Sequence, residues 1–480
     1  MLDEKGNKMS KSLGNVVDAK DLLSKNSVDL VRFYLLWKAS PIDSLNFSLS
    51  ELVARPYQVL NTLFNLHVYL HQNSQYDNFD TKKMDIDNVA KSKLFGIIEE
   101  WLISKLQSLI TVVTQSFERC RFNEGAKAIE YFIINDLSQV YVPFTRDDLW
   151  DDSPNTLERR SVIYSILGHA LSQVDILIHP LCPFISNYLH LMFFTTQQSI
   201  LIESWPKTKV SLINPKVETN VNIAKEIVSL ANSARTKAKI KRRWPISRIM
   251  VFMKDGDLSK VNDLTEIMKT QMNTDSLEIL AIPKIKDVYG RLAGLLNYNV
   301  VEISTKLKTK RIAPLLKNDL PKILRSFENA DQSKIIKTLI SEGKCLIEYE
   351  DNDFEILKED VELSYSPSPG YSMAESDTGD IIVLIETIRN NDLLTKGLVK
   401  DLARNIQQLR KEKGYLPTDV LSCAYVSNLN EDELTSLLDF KENLAYLVRV
   451  KSVKLSLRPN DDEKYKEVEI DGRKVFVSIE

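Results

Sequence analysis

Lys8-Met9-Ser10-Lys11-Ser12 is the stretch whose residue types and spacing most clearly carry chemistry. Two lysines three apart, in a loop bracketed by Gly6 and Gly14, can bring two mobile ammonium groups to one polyanion. Lysine meets phosphate as a compact point charge, and serine hydroxyls and loop amides add hydrogen bonds. That set suits a reaction in which pyrophosphate leaves, since cations aimed at charge developing on the leaving oxygens act most strongly in the transition state. Short Lys/Ser loops also occur as solvated surface turns, so spacing alone leaves both readings open.

A second candidate is cationic. Arg235, Lys237, Lys239, Lys241, Arg242 and Arg243 place six cations within nine residues without an acid among them, and Trp244 follows directly. They read either as a phosphate-contacting surface, which would weaken with salt through counterion release, or as a solvated helix end complementing its dipole. Lys306, Lys308, Lys310 and Arg311 form a lesser patch. Tyr141, Arg146 and Trp150 could stack unpaired bases, although aromatics at helical spacing more often pack inside. The five histidines, His67, His71, His169, His179 and His190, show no metal-ligand spacing and read as structural. Asp29 and Arg32, three apart on a probable helix, could pair with each other.

The elements that must position these groups follow from periodicity. Residues 1–25 read as a loop and a short helix over Val16 to Leu23, followed by an apolar segment from Leu30 to Trp37 that ends at Ser40-Pro41. From Ser50 to Ile178 the period is helical. One face is marked by Leu52, Pro56, Val59, Leu63 and His67, and a longer one by Leu94, Ile98, Trp101, Leu106, Leu109, Val113 and Phe117. A third carries Ile129, Ile133, Leu137 and Val140, with Asn123 as its expected N-cap, and a fourth Ile163, Leu167, Ala170, Val174 and Leu177. Successive amphipathic helices of this kind predict an antiparallel bundle.

Beyond Trp205-Pro206 the texture changes. A helix is expected over Val217 to Ile240. Strands are expected at Ser247–Met253, Ser276–Leu280, Val300–Ile303, Lys344–Tyr349, Ile381–Ile385 and Lys474–Ser478, and helices at Lys317–Phe327, Ser333–Ile340 and Lys396–Lys413. Ser364 to Asp380 reads as a surface loop or linker. No internal repeat is visible. The expected organisation is mainly α with an α+β C-terminal region, in four segments, 1–48, 49–206, 207–300 and 301–480.

Composition bounds the function classes. At 480 residues the chain should hold about three domains, at roughly 150 residues each. With 63 Lys+Arg against 66 Asp+Glu, the net charge of −3 excludes a polybasic nucleic-acid coat, so any such surface must be local. Cys120, Cys182, Cys345 and Cys423 lie far apart without CxxC spacing; they read as reduced core thiols of a cytoplasmic protein, with no zinc site expected. The start, MLDEKGNKMSKSLGN, has no apolar core of a secretory signal. The most apolar run, Ile176 to Phe194, is broken by His179, Pro180, Pro183, Asn187 and His190, so no membrane span is expected.

KMSKS followed by LGNVV resembles the second signature of the class I aminoacyl-tRNA synthetases, which binds ATP phosphates during aminoacyl-adenylate formation. The neighbourhood agrees. Asp29-Leu-Val-Arg32-Phe-Tyr-Leu-Leu36 resembles the helix after that loop. Asp136 to Tyr141 with Arg146 to Trp150, His179 to Ile185, and Glu203 to Pro206 resemble parts of the family's helical anticodon-binding domain. Arg235 through Lys241-Arg242-Arg243-Trp244-Pro245-Ile246, and Gly397 through Lys411, are similar to the isoleucyl-tRNA synthetases of archaeal and eukaryotic type; valyl and leucyl relatives fit them less well.

The resemblance implies ATP with Mg2+, L-isoleucine and tRNA(Ile) as partners. It assigns ATP binding to Lys8, Met9, Ser10, Lys11 and Ser12, with Lys8 and Lys11 catalytic, and offers Arg146, Trp150 and the Arg235–Trp244 stretch to the tRNA. There is a departure: the HIGH-type signature, the Rossmann core that holds the amino acid and adenine, and the inserted editing domain do not appear. The chain reads as the C-terminal half of such an enzyme, not active alone. The alternatives are a free-standing tRNA-binding protein, one half of a split synthetase with a separate N-terminal half, and a valine-specific relative.

Overall fold

The computed structural model describes residues 1–480 except 85, 152, 196, 284, 317, 318, 351, 417 and 461–463, and the side chains of 87, 255 and 315. It divides into two compact units, Met1–Asn222 and Ile223–Glu480.

The first unit is helical. After the loop, α1 (Ala19–Lys25) begins at Asp18, whose carboxylate accepts the N–H groups of Lys20 and Asp21. Ser27 caps α2 (Val28–Lys38) in the same manner. The long helices α3 (Arg55–Tyr76), α4 (Ile97–Glu118) and α7 (Leu157–Ile178) pack with α5 (Phe122–Tyr131), α6 (Val142–Trp150) and α8 (Pro183–Phe193). The faces expected from periodicity are the core: Leu63, Trp101, Leu106, Val113, Ile129, Ile133, Leu137, Ile163, Ala170 and Val174 are sealed from solvent. Leu94 is the departure, exposed at 38%. Asn123 is not the N-cap of α5, because the cap falls two residues earlier, at Arg121, and Asn123 lies in the first turn. Between α5 and α6 the chain stays helical but is wound as a π-helix from Phe132 to Tyr141; the wider winding accommodates Pro143, which has no N–H to donate.

Among the described residues one helical stretch, Pro154–Ile178 rather than 176–194, is long and apolar enough to cross a membrane, and 78% of its apolar window lies buried in the bundle, as befits a core helix. Several polar groups inside the bundle are paired. Arg160, at 3% exposure, grips Asp77 with two bonds (Nε to Oδ2 2.7 Å, Nη2 to Oδ1 2.8 Å), and the Tyr164 hydroxyl donates to the same carboxylate at 2.6 Å. Asp77→Asn is therefore expected to cost about 2 kcal/mol, the scale of hydrogen bonds to a charged group, read as a lower midpoint in urea denaturation; an unchanged midpoint would remove the pair from the bundle's supports. His67 lies fully buried with its ring nitrogens on Leu63 O and Asp175 Oδ2, a structural role. Asp29 and Arg32 do not pair with each other. The Asp29 carboxylate caps α8 through the N–H groups of Phe184 and Ile185, and Arg32 donates to the carbonyls of Pro180 and Leu181. Together they tie α2 to the turn that opens α8.

Helix α9 (Pro215–Lys237) leads into the second unit. There β1 (Ile246–Met253) pairs in parallel with β2 (Thr274–Ala281), after a return through α10 (Thr265–Met272). The segment from 282 to 370 forms α11 (Val288–Leu296), β3 (Val301–Leu307), α12 (Thr309–Leu316), α13 (Leu320–Asn329), α14 (Gln332–Glu342), β4 (Lys344–Tyr349), β5 (Asn352–Leu357) and β6 (Val361–Pro367). The hairpin β7 (Tyr371–Glu375) and β8 (Ile381–Glu386) then returns to complete a sheet of order β2-β1-β8-β7.

The boundary expected at residue 300 thus falls inside one folded body, since β8 inserts antiparallel to β1. The expected loop from Ser364 to Asp380 contains the end of β6 and all of β7; its polar residues alternate with Tyr365, Tyr371 and Met373, which pack onto the sheet's apolar cluster. Of the expected helix Lys317–Phe327, the first two residues lie outside the described residues, and α13 covers it from Leu320 onward.

The remainder, α15 (Asn391–Glu412), β9 (Leu421–Ser427), α16 (Glu431–Leu438), α17 (Lys441–Val448), β10 (Val450–Leu455), β11 (Lys466–Ile470) and β12 (Arg473–Ile479), repeats the plan. Its sheet order is β10-β9-β12-β11, with β9 and β10 parallel and the other pairs antiparallel, as in the first sheet. A buried arginine locks each copy in the same way. Arg235, in the last turn of α9, donates to the carbonyls of Met272 and Asn273 at the end of α10, and to Lys241 and Trp244 before β1. Arg410, in the last turn of α15, donates to Val448 and Arg449 at the end of α17, and to Leu416 and Asp419 before β9. Even the left-handed residues correspond, Asn273 at φ 51° and Arg449 at φ 50°. The C-terminal unit therefore does contain an internal repeat, one the sequence hides because residues 282–370 interrupt the first copy where the second has only 456–465.

Candidate functional site

The lysine loop is built by short-range hydrogen bonds. Leu2 is bound to the strand-like stretch 45–47 (Leu2 N to Leu45 O 2.8 Å, Phe47 N to Leu2 O 2.9 Å), and Ser48 N donates to the Tyr34 hydroxyl of α2 at 2.9 Å. Ser10 opens a single 3₁₀ turn, Lys11–Leu13, by accepting the N–H of Leu13, and Gly14 closes it at φ +66°, a conformation a side chain would oppose. The Ser10 and Ser12 hydroxyls lie 3.0 Å apart. Lys8 and Lys11 are exposed, and among the described residues neither ammonium is paired with a carboxylate. Met9 is half-buried. Two free ammonium groups, two hydroxyls and a rigid turn make a cradle for phosphate. Among the described residues no group of three or more His, Cys, Asp or Glu side chains is placed to hold a metal ion. Mg2+ arriving with a nucleotide would be held chiefly by phosphate oxygens and water, as this hard cation prefers.

Sequence reading missed the two residues that hold this loop, Asp3 and Asn15. Asn15 stands in the LGN continuation, so a signal was present.

In the bundle, Arg146 is exposed on α6 beside Tyr69, whose phenol burial pushes up to about 12 against the opposing influence of Arg146. Trp150 is half-buried at the end of α6. Tyr141 is fully buried and its phenol pushed well up, first by burial, so it is core and not a stacking surface.

The basic stretch in the second unit separates into two kinds of residue. Arg235 is 1% exposed and spent on four carbonyls; burial draws its pKa down to about 10, which still leaves it charged at neutral pH. It holds the fold and cannot meet a phosphate, a correction to its reading as a tRNA contact. Lys241, Arg243 and Trp244 converge on one buried carboxylate, Asp401: Lys241 Nζ lies 3.2 Å from it and Trp244 Nε1 3.0 Å, with Arg243 Nε also bonded. Lys241 reaches Asp471 as well, at 2.8 Å. Arg389, 3.7 Å from the ring centre, and Lys241, 4.7 Å from it, both lie over the Trp244 ring. Gly397 makes room, since a Cβ there would meet Arg389 Nη2 at 2.9 Å and Trp244 Cγ at 3.3 Å. That leaves Lys237, Lys239 and Arg242 exposed to a polyanion; Lys237 bonds the Met373 carbonyl and Arg242 the Asn232 amide oxygen. In the lesser patch, Arg311 is paired with Glu359 and Asp360.

Residues 1–48 match the family of class I tRNA synthetases (I, L, M and V), and residues 99–251 match the anticodon-binding domain of tRNA ligase. The isoleucine–tRNA ligase of Pyrococcus abyssi is 28% identical over 455 residues, covering 94% of this chain and 39% of that protein. The chain is similar to the isoleucine–tRNA ligases along nearly its whole length. That of Thermococcus kodakarensis is 29% identical over the same coverage, and that of Methanocella arvoryzae 28% identical over 100% of this chain and 42% of its own length. The chain thus spans about two-fifths of these isoleucine–tRNA ligases. The lysine loop falls in the synthetase match, and Arg146, Trp150 and the basic stretch in the anticodon-binding match.

Of the four cysteines, Cys182 and Cys423 are buried as expected of core thiols, Cys345 is half-buried, and Cys120 is exposed.

Proposed function

We propose that this chain is the part of a cytoplasmic isoleucine–tRNA ligase that supplies the ATP-phosphate loop and the tRNA-binding body. The observation that carries this reading is the near-complete alignment with archaeal isoleucine–tRNA ligases, joined to a loop that presents Lys8 and Lys11 unpaired. In the whole enzyme the isoleucine carboxylate attacks the α-phosphate of ATP, pyrophosphate leaves, and the isoleucyl group passes to the terminal ribose of tRNA(Ile). Lys8 and Lys11 take up the charge that gathers on the leaving pyrophosphate, and Ser10 and Ser12 orient its oxygens. Pyrophosphate exchange by the complete enzyme tests the reading: exchange that depends on isoleucine supports it, and exchange that depends on valine instead assigns the chain to the valine-specific relatives.

Lys237, Lys239 and Arg242 are the cations of the basic stretch left for the tRNA backbone. Substituting all three with alanine is expected to weaken tRNA binding by this chain and to reduce the slope of log K against log salt by roughly 2–3, near 0.9 per lost phosphate contact. An unchanged slope assigns them to solvent. The exposed apolar residues Leu13, Val16, Val17, Leu23 and Ile42 of the synthetase-like segment, Ile42 at 92%, fit cover by the rest of a catalytic domain, on the same chain or, in a split enzyme, on a separate one. Activity that appears only on mixing this chain with a separate N-terminal half would establish that arrangement.

A further inference from the structure

The side-chain amide of Asn15 is the hub of the lysine loop. Its Oδ1 accepts the Ser10 N–H at 2.9 Å, while Nδ2 donates to the Lys8 carbonyl at 3.2 Å and to Asp3 Oδ2 at 2.9 Å. Both amide hydrogens and one oxygen lone pair are thereby committed, so a flipped amide would set donor against donor at Ser10 and acceptor against acceptor at Asp3. Asp3 is itself fixed, because its Oδ1 accepts the N–H groups of Lys5 (3.0 Å) and Asn7 (2.8 Å). Its carboxyl is held below the usual carboxylate range, first by the Asn15 bond, then by the Asn7 N–H. The carbonyl of Lys8 and the amide of Ser10 are the two ends of the backbone that carries Lys8 and leads into Lys11. One side chain grips both.

We propose that Asn15, oriented by Asp3, is the positioning residue of the phosphate loop: it holds the backbone at Lys8 and Ser10 so that the ammonium groups need no reorganisation when the phosphates arrive. Lysine side chains are flexible, and charge aimed in advance at the leaving group stabilises the transition state without an ordering cost at the moment of reaction. The inference rests on the ATP-loop reading above.

The pairing is directional, and this makes it testable. In Asp3→Asn a donor faces the Asn15 donor; in Asn15→Asp two carboxylates face each other. In the double variant, Asp3→Asn with Asn15→Asp, the amide nitrogen introduced at position 3 donates to the carboxylate introduced at position 15. The oxygen kept at position 3 retains the bonds from Lys5 and Asn7, and the oxygen kept at position 15 retains the bond from Ser10, while the bond to the Lys8 carbonyl is lost because a carboxylate has no N–H to donate. Isoleucine-dependent pyrophosphate exchange would be measured for these variants and for Lys11→Ala in the complete enzyme, with tRNA binding as the check on folding. Each single variant is expected to lower kcat about tenfold while the KM for isoleucine stays put, and the double variant, which restores the bond between positions 3 and 15 but not the one to the Lys8 carbonyl, to lose clearly less than the product of the two. If Lys11→Ala is impaired but the singles match the wild type, or the double is as poor as the product of the singles, the positioning role is wrong. If Lys11→Ala matches the wild type, the ATP-loop reading falls and takes the positioning role with it.

Discussion

Lys11→Ala is expected to lower kcat for isoleucyl-adenylate formation by about 10²-fold or more in the complete enzyme, the loss seen when one preorganised electrostatic group is taken from a transition state. The ammonium of Lys11 is exposed, follows a capped turn, and has no carboxylate partner among the described residues, so its charge is not already spent on the protein. Negative charge on the β- and γ-phosphates grows as the α-phosphate bond to pyrophosphate breaks. The cation therefore binds the transition state more tightly than bound ATP, and the effect should fall on kcat more than on the KM for ATP. Lys8→Ala should move the same parameter in the same direction. Pyrophosphate exchange at saturating isoleucine reads both, and a rate for Lys11→Ala equal to the wild type would falsify the assignment.

Arg410→Met carries the largest stability effect expected, a loss of about 3–5 kcal/mol, the scale on which a buried charged network is broken. The guanidinium is 1% exposed and donates to four carbonyls, which the methionine would leave buried with those bonds unmade. Arg235→Met should lose a similar amount, because the equivalent arginine holds the equivalent four carbonyls in the first copy of the repeat. Arg242→Ala, a few residues on but exposed, is expected to change stability by less than about 0.5 kcal/mol. Denaturant unfolding of this chain separates the three. A small effect for both buried arginines would mean that the corresponding anchors are not what locks the repeat.

The contrast between Arg235 and Arg242 shows where sequence reading stops. As residue types they are alike, and both lie in one run of cations. Only the closure of α10 against the entry to β1 determines that Arg235 sits among carbonyls while Arg242 faces water. In the same way Lys241 and Arg243 are neutralised by Asp401, a residue more than 150 positions away along the chain, which local spacing cannot signal. The internal repeat was hidden for a related reason. Strand pairing and a shared anchor define it, whereas side chains on the two sheets serve different surroundings: the first sheet is covered by the 282–370 segment and carries Met250, Phe252, Ile382 and Leu384 toward it, while the second has Tyr425, Ser427, Phe476 and Ser478 at the corresponding positions.

What sequence alone determined is local in its physics. Helical faces of the bundle followed from a 3.6-residue period, because burial of one stripe is dictated by residues three and four apart. The lysine loop was legible as a loop from Gly6, Gly14 and the lysines and serines between them, because its turn, its capping serine and its closing glycine lie within a few residues of one another. What only the tertiary structure decided is which charges are free. A charge is available to a ligand when no partner has reached it, and its partners arrive from anywhere in the chain: Asp401 at Lys241 and Arg243, four carbonyls at Arg235, and none among the described residues at Lys8 and Lys11.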